Sequence, residues 1–142
     1  MAIRIAPDYT IEAAFPVIEL HDYVFRAPRK TLPGLVANNG LNAGFVPPPD
    51  DWLSSRAYID GARALSVRIN GRPVASGELW PMAGGAEASL QWLRRQLAAT
   101  QADLAPGDII LTGTPLGLYP VSKGDHVEVL IDDQLGSFCS IV

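Results

Sequence analysis

Ala64-Leu65-Ser66-Val67-Arg68-Ile69-Asn70-Gly71-Arg72-Pro73-Val74-Ala75-Ser76-Gly77-Glu78 is the stretch that decides the fold. Leu65, Val67 and Ile69 alternate with small or polar residues, and a period of two places such side chains on one face of a strand. Asn70-Gly71 supplies two residues that tolerate positive φ, which a tight hairpin turn requires. A β-hairpin over 64–78 follows.

Beyond the hairpin, Ala86, Leu90, Leu93 and Leu97 recur at helical spacing. This predicts one long amphipathic helix over 85–100, with Arg94, Arg95 and Gln101 outward and Trp92 packed in the core. Glu87 falls in its first turn, where a carboxylate is favourable. Strand patterns return at 109–112, 126–131 and 137–142, separated by 107–108, 123–125 and 132–136. Upstream, 8–15 reads as a short helix capped by Thr10 and ended before Pro16, since a residue preceding proline avoids helical geometry. Residues 17–20 read as a strand. A looser stretch over 26–34 leads into Leu35-Val36-Ala37, and 44–46 forms another strand before the rigid spacer Pro47-Pro48-Pro49. Twelve prolines and thirteen glycines spread along the chain suit short strands joined by turns. The expected class is α+β, strand-rich.

A chain of 142 residues, 48% hydrophobic and 18% charged, buries one real core, so a single domain over 1–142 is expected. The formal charge of -4 removes the electrostatic incentive to bind nucleic acid. Small molecules and protein partners fit better. A lone cysteine, Cys139, closes no intramolecular disulfide, and no apolar stretch approaches the ~20 residues that span a bilayer. Residues 1–8 carry no secretory pattern. The expectation is a cytoplasmic protein without membrane partners.

Candidate chemistry gathers in Gly107-Asp108-Ile109-Ile110-Leu111-Thr112-Gly113-Thr114-Pro115-Leu116-Gly117. Glycines let backbone approach a ligand and threonine hydroxyls can hold a carboxylate. Taken alone, Thr-Gly-Thr-Pro is also an ordinary turn. With Pro120-Val121-Ser122-Lys123-Gly124-Asp125-His126-Val127-Glu128-Val129 and Leu135-Gly136-Ser137, however, the run resembles the C-terminal signature of the fumarylacetoacetate hydrolase superfamily. Phe15-Pro16-Val17-Ile18-Glu19-Leu20 and Leu35-Val36-Ala37-Asn38-Asn39-Gly40 resemble its 2-keto-4-pentenoate hydratase and 4-oxalocrotonate decarboxylase branch, in the same order.

The resemblance implies a mixed β-sandwich or roll corresponding to the C-terminal portion of the family, without the N-terminal part. It implies a hydratase-like lyase acting on a small 2-keto acid by metal-assisted enolisation and water addition, and a homo-oligomer, in the first instance a homodimer. A hard cation such as magnesium chelates a 2-keto acid through oxygen atoms and stabilises enolate character. By the same resemblance Glu19 is a metal ligand, Glu19, Asn39 and Thr114 are the catalytic set, and Asn38, Thr112, Gly113 and Pro115 contact substrate. A Glu-x-Glu pair that supplies the branch's other two ligands is absent from these 142 residues, and Leu41 stands where the branch has serine. The departures define an alternative, a non-metal or repurposed ligand-binding or auxiliary protein on the same fold.

The plain physical readings stand beside these. A carboxylate in an apolar strand needs a partner, so Glu19 calls for a metal, an arginine or water. His21 and Asp22 either supplement a metal site or end the strand in water. Lys30, near Arg26 and Arg29, reads as part of a solvated basic loop, His126 as exposed on one strand face, and Cys139 as buried and inert. Glu19, the Asn38-Asn39 turn and the Thr112-Gly113-Thr114 turn are expected to converge on one pocket.

Overall fold

The computed structural model describes residues 1–26, 29–53, 55–59 and 63–142. The decisive hairpin forms as the pattern dictates: one strand over Ala64–Ile69 pairs antiparallel with another over Arg72–Glu78, and Asn70 and Gly71 turn between them at φ 53° and 73°. In chain order the strands are β1 (Ala2–Ile5), β2 (Ile11–Phe15), β3 (Ile18–His21), β4 (Asn42–Val46), β5 (Ala64–Ile69), β6 (Arg72–Glu78), β7 (Ile109–Leu111), β8 (His126–Ile131) and β9 (Gln134–Ser140). The helices are α1 (Leu32–Ala37) and α2 (Gly85–Ala98), with a single 3-10 turn at Asn39–Leu41.

Pairing arranges the strands as a four-stranded sheet β6-β5-β8-β9, a three-stranded sheet β2-β1-β7 and a two-stranded sheet β3-β4. All the pairings are antiparallel. The core lies between the sheets. Ile3 and Ile5 of β1, Leu65 of β5, Val127, Val129 and Ile131 of β8, and Leu90 of α2 form one continuous buried cluster. The strand-rich α+β class is therefore observed, and the predicted long helix occupies 85–98 with Leu90 fully buried. Leu93 and Leu97 are only half-buried.

Several local readings are corrected. Residues 8–15 are not a helix. Asp8 accepts from the amide and hydroxyl of Thr10 at 3.0 and 2.7 Å, and Ala6 N–H donates to the Thr10 carbonyl at 2.8 Å, turning the chain back so that β2 pairs with β1. Thr10 caps a hairpin turn, because pairing with β1 immediately before the turn outweighs the local helical preference of Glu and Ala. The loose stretch before Leu35 tightens into α1, capped by Thr31 Oγ1 accepting from Gly34 N–H. The last strand begins at Gln134, earlier than its pattern indicates, since Asp132 and Asp133 themselves take positive φ, 49° and 64°. Asp is among the few residues that tolerate that region. Trp92 is 48% exposed, so it does not pack in the core. Trp80 does, donating its indole N–H to the Tyr58 carbonyl at 3.2 Å, and Cys139 is half-buried at the edge of the cluster.

Candidate functional site

A cavity of about 660 Å³ opens between the four-stranded sheet and β3. Its floor follows from the period of two. Leu65, Val67 and Ile69 project from one face of β5, and Val127 and Val129, paired with Ile69 and Val67 on β8, project beside them. The same alternation that specifies the hairpin thus builds an apolar wall. Opposite it stands the one polar edge on a strand. Glu19 and His21 are two residues apart on β3, and both line the cavity.

Register brings in a third side chain. His21 pairs with Asn42 on β4, across a bulge between Leu20 and His21. Asn42 Nδ2 donates to Glu19 Oε1 at 2.8 Å, and His21 Nε2 lies 3.2 Å from the same oxygen. The Glu19 and His21 side chains are 31% and 27% exposed. The carboxylate therefore has the partners that partial burial demands, from an amide and an imidazole.

The roof is the segment after β7. Gly113 and Gly117, at φ 79° and 85°, bracket a turn that other residues adopt with strain, and between them Thr114 Oγ1 accepts from Leu116 N–H at 3.1 Å. That bond uses a lone pair and leaves the Thr114 hydroxyl proton free to donate into the cavity, which Thr114 lines. Tyr119, also on the cavity, donates its hydroxyl to the Leu116 carbonyl at 2.8 Å and retains its acceptor capacity.

The structure thus brings Glu19, Gly113 and Thr114 together at one cavity, while Asn38, Asn39, Thr112 and Pro115 do not line it. Thr112 donates its hydroxyl and its amide to the Met1 carbonyl at 2.9 and 3.1 Å, fastening the start of the roof to β1. Asn38 uses both ends of its amide on backbone, accepting from Val24 N–H at 3.0 Å and donating to the Asp22 carbonyl at 2.7 Å. Asn39 takes a left-handed φ of 50° on the outside. His21, which the sequence offers either as a supplement to a metal site or as a strand end in water, sits beside Glu19 at a spacing of two. Two contributors carry no assignment from the sequence: Asn42 reaches the site only through register and Tyr119 only through the path of the roof.

Elsewhere, carboxylates lock turns. Asp132 accepts from Ala64 N–H at 3.0 Å and from Arg63 at 2.8 Å, and these bonds hold its pKa below the ordinary carboxylate value. Asp125 is lowered in the same way by Asn70 and the Ser122 amide. Burial alone pushes the Cys139 thiol up, away from reactive thiolate character.

The donor set does not fit magnesium. Among the described residues no three or more His, Cys, Asp or Glu side chains are grouped to hold a metal. A hard, octahedral cation seeks six oxygens, and here one carboxylate shares an oxygen with an amide and an imidazole.

Strand-rich architecture, an apolar sheet face and a Thr-Gly roof together frame this cavity. Residues 22–142 match the family described as fumarylacetoacetate (FAA) hydrolase C-terminal, and the chain belongs to that family. Two curated relatives are similar in sequence. Maleylpyruvate hydrolase of Aquipseudomonas alcaligenes is 33% identical over 76 residues, which cover 52% of this chain and 25% of that protein. The 2-hydroxyhexa-2,4-dienoate hydratase of Comamonas testosteroni is 30% identical over 80 residues, covering 56% of this chain and 30% of that protein. The fold matches 4-oxalocrotonate decarboxylase from Pseudomonas putida G7, complexed with magnesium and adipate, at a TM-score of 0.80 and 17% identity, covering 99% of this chain and 58% of that one. The same decarboxylase complexed with calcium and acetate gives 0.77 at 18% identity, again over 99% of this chain and 57% of the other. The matches to the curated relatives thus span about a quarter to a third of their length.

Proposed function

We propose that this chain is a binding and reaction domain for small 2-keto acids, of the 2-keto-4-pentenoate hydratase type. The observation that carries the reading is the polarity of the cavity: an apolar floor on β5 and β8 faces the Glu19 edge and the Thr114 hydroxyl. A short unsaturated acid has the same division. Its carbon tail lies along Val67 and Val129, where each buried methylene contributes ~0.8 kcal/mol. Its oxygenated end meets Thr114, whose hydroxyl donates to the carboxylate, and Glu19, which holds or moves a proton beside the keto carbon. The substrates named for the relatives, a maleylpyruvate, a hydroxyhexadienoate and an oxalocrotonate, are short unsaturated acids of this kind.

A second reading, an auxiliary ligand-binding domain without turnover, is favoured by the donor set, which does not fit magnesium. One experiment tests both. The purified chain is titrated calorimetrically with 2-oxopent-4-enoate and with pent-4-enoate, which lacks the keto oxygen, and loss of the dienol absorbance of 2-hydroxypenta-2,4-dienoate is followed. Keto-selective binding with absorbance loss that Glu19→Gln and Thr114→Val each reduce at least tenfold supports the lyase. Keto-selective binding with no absorbance change supports the auxiliary domain. Equal binding of both acids, or none, overturns the cavity assignment.

A further inference from the structure

We propose that the cavity selects 2-keto acids with an extended apolar tail, of about eight to ten carbons, and that Ile69 and Val121 set the far limit of that tail. The inference deepens the reading of the cavity as a keto-acid site and rests on it for the polar end alone. Two sets of contacts fix the direction of the site. At one end, the Leu116 side chain packs so closely on Gly77 that a Cβ there would meet it at 2.8 Å, and Gly77 is the β6 partner of Leu65. Thr114 Oγ1 accepts from Leu116 N–H, so the hydroxyl that receives the carboxylate stands at the Leu65 end of the floor. At the other end, Asp125 joins the roof to the hairpin turn, accepting from Ser122 N–H at 2.7 Å and from Asn70 Nδ2 at 2.8 Å. Val121 and Ile69, the chain neighbours of Ser122 and Asn70, are thereby brought to the same end, and both line the cavity.

The roof therefore runs lengthwise over β5, from Leu65 to Ile69. Four steps of extended strand separate these two residues, about 13 Å at ~3.3 Å per residue, roughly twice the reach of a five-carbon chain. A short acid held at Thr114 ends over Val67 and Val129 and leaves Ile69, Val127 and Val121 uncovered beyond it. All three are apolar, and Val121 is 38% exposed, so additional carbon at that end removes apolar surface from water on both sides. The volume agrees. About 660 Å³ lies within the roughly 300–1,000 Å³ that takes drug-sized ligands, well above what a five-carbon acid fills.

The test is a homologous series. The full chain is titrated calorimetrically with 2-oxopentanoate, 2-oxooctanoate, 2-oxodecanoate and 2-oxododecanoate, and with octanoate, which lacks the keto oxygen. Affinity should climb about threefold to fourfold per added methylene, so that 2-oxooctanoate binds at least tenfold tighter than 2-oxopentanoate, and should level off once the tail passes Ile69, by 2-oxododecanoate. Val121→Trp fills the far end from the roof and Ile69→Ala removes its floor. Each should cut the preference for 2-oxooctanoate over 2-oxopentanoate at least fivefold, a ratio taken within one variant, where a stability loss common to both acids cancels. In the wild-type chain, the methyl resonances of Ile69 and Val121 should shift with saturating 2-oxooctanoate and stay in place with 2-oxopentanoate, a readout that needs no variant to fold. A flat series, a preference unchanged in both variants, or unmoved Ile69 and Val121 methyls overturns the extended tail and leaves the short-acid reading standing. Octanoate binding as tightly as 2-oxooctanoate, or no binding by any member, removes the keto-acid reading and this proposal with it.

Discussion

The four-stranded sheet and the segment joining β3 to β4 use apolar side chains in opposite ways. In the sheet, Leu65, Val127, Val129 and Ile131 are buried, and the first three also form part of the cavity floor. In the segment, α1 buries no residue at all, and Val24, Leu32 and Val36 are 67%, 74% and 73% exposed. The sheet is held by burial. The segment is held by hydrogen bonds: the Thr31 cap, the Asn38 side chain on Asp22 and Val24, and Asp22 N–H on the Leu41 carbonyl. Burial of this kind is cooperative and rigid, whereas exposed backbone bonds open locally. The floor of the site is therefore fixed by the fold, while the segment that precedes Asn42 depends on what lies against it.

The largest test of that contrast is a pair of truncations. Leu65→Ala removes a buried side chain from the floor itself and should cost about 2–5 kcal/mol in urea unfolding. Leu32→Ala removes a comparable side chain from α1 and should fall within about 0.5 kcal/mol. Equal costs would break the comparison, because they would mean that α1 is packed in the free chain. A smaller loss is expected from Gly136→Ala. A Cβ there overlaps the Pro16 ring and comes within 3.4 Å of the Val129 carbonyl, and both Gly136 and Pro16 are buried. Overpacking of this kind costs about 1–3 kcal/mol, again read by denaturant midpoint. Within the segment, Asn38→Ala loses two bonds to backbone, about 1–2 kcal/mol locally. Its sharper signature is amide exchange, with Val24 losing protection while Val129 keeps it.

What could be read from sequence divides along the same line. The 64–78 hairpin and the long helix declare themselves because their periodicity is local, and Glu19 and Thr114 were marked by their motifs. Residues 8–15 misled because Ile-Glu-Ala-Ala-Phe suits either state, and pairing with β1 decides. The site was half legible for a related reason. A spacing of two joins His21 to Glu19 within one strand, but Asn42 meets them through a bulged register between strands. Nothing in the Asn38-Asn39 motif revealed that the Asn38 amide is spent on Asp22 and Val24.

Acid should separate the regions further. The lowered pKa values of Asp125 and Asp132, both bonded at the ends of sheet strands, mean that each carboxylate stabilises the fold when ionised. A group depressed from the ordinary 3.8 contributes fully above that value, and the contribution is lost as pH falls through its folded pKa. Through these two groups, unfolding midpoints should therefore be unaffected from neutral pH to about 4 and fall below it. Asp132→Asn should flatten that fall by a modest amount, since the group is exposed and screened. An unchanged acid limb would place the sensitivity outside the sheet.

The smallest effect on the stability of the single chain, and the most informative about the segment, is expected from Leu32→Lys with Val36→Glu. Val24, Leu32 and Val36 present apolar surface that no described element covers, and surface of that kind is unfavourable in water and commonly becomes an interface. We propose that the segment is an association surface, in line with the homo-oligomer expected for this chain; a closed dimer needs a patch that is complementary to itself, burying more than roughly 1,000 Å² in total. Light scattering of the wild-type chain at high micromolar concentration should give a mass above the 15.2 kDa monomer. The double variant should return it to the monomer, with its urea midpoint extrapolated to low concentration shifted by no more than about 0.5 kcal/mol. A wild-type monomer under those conditions would show that hydrogen bonds alone hold the segment, and the contrast with the sheet would then be one of rigidity and not of missing cover.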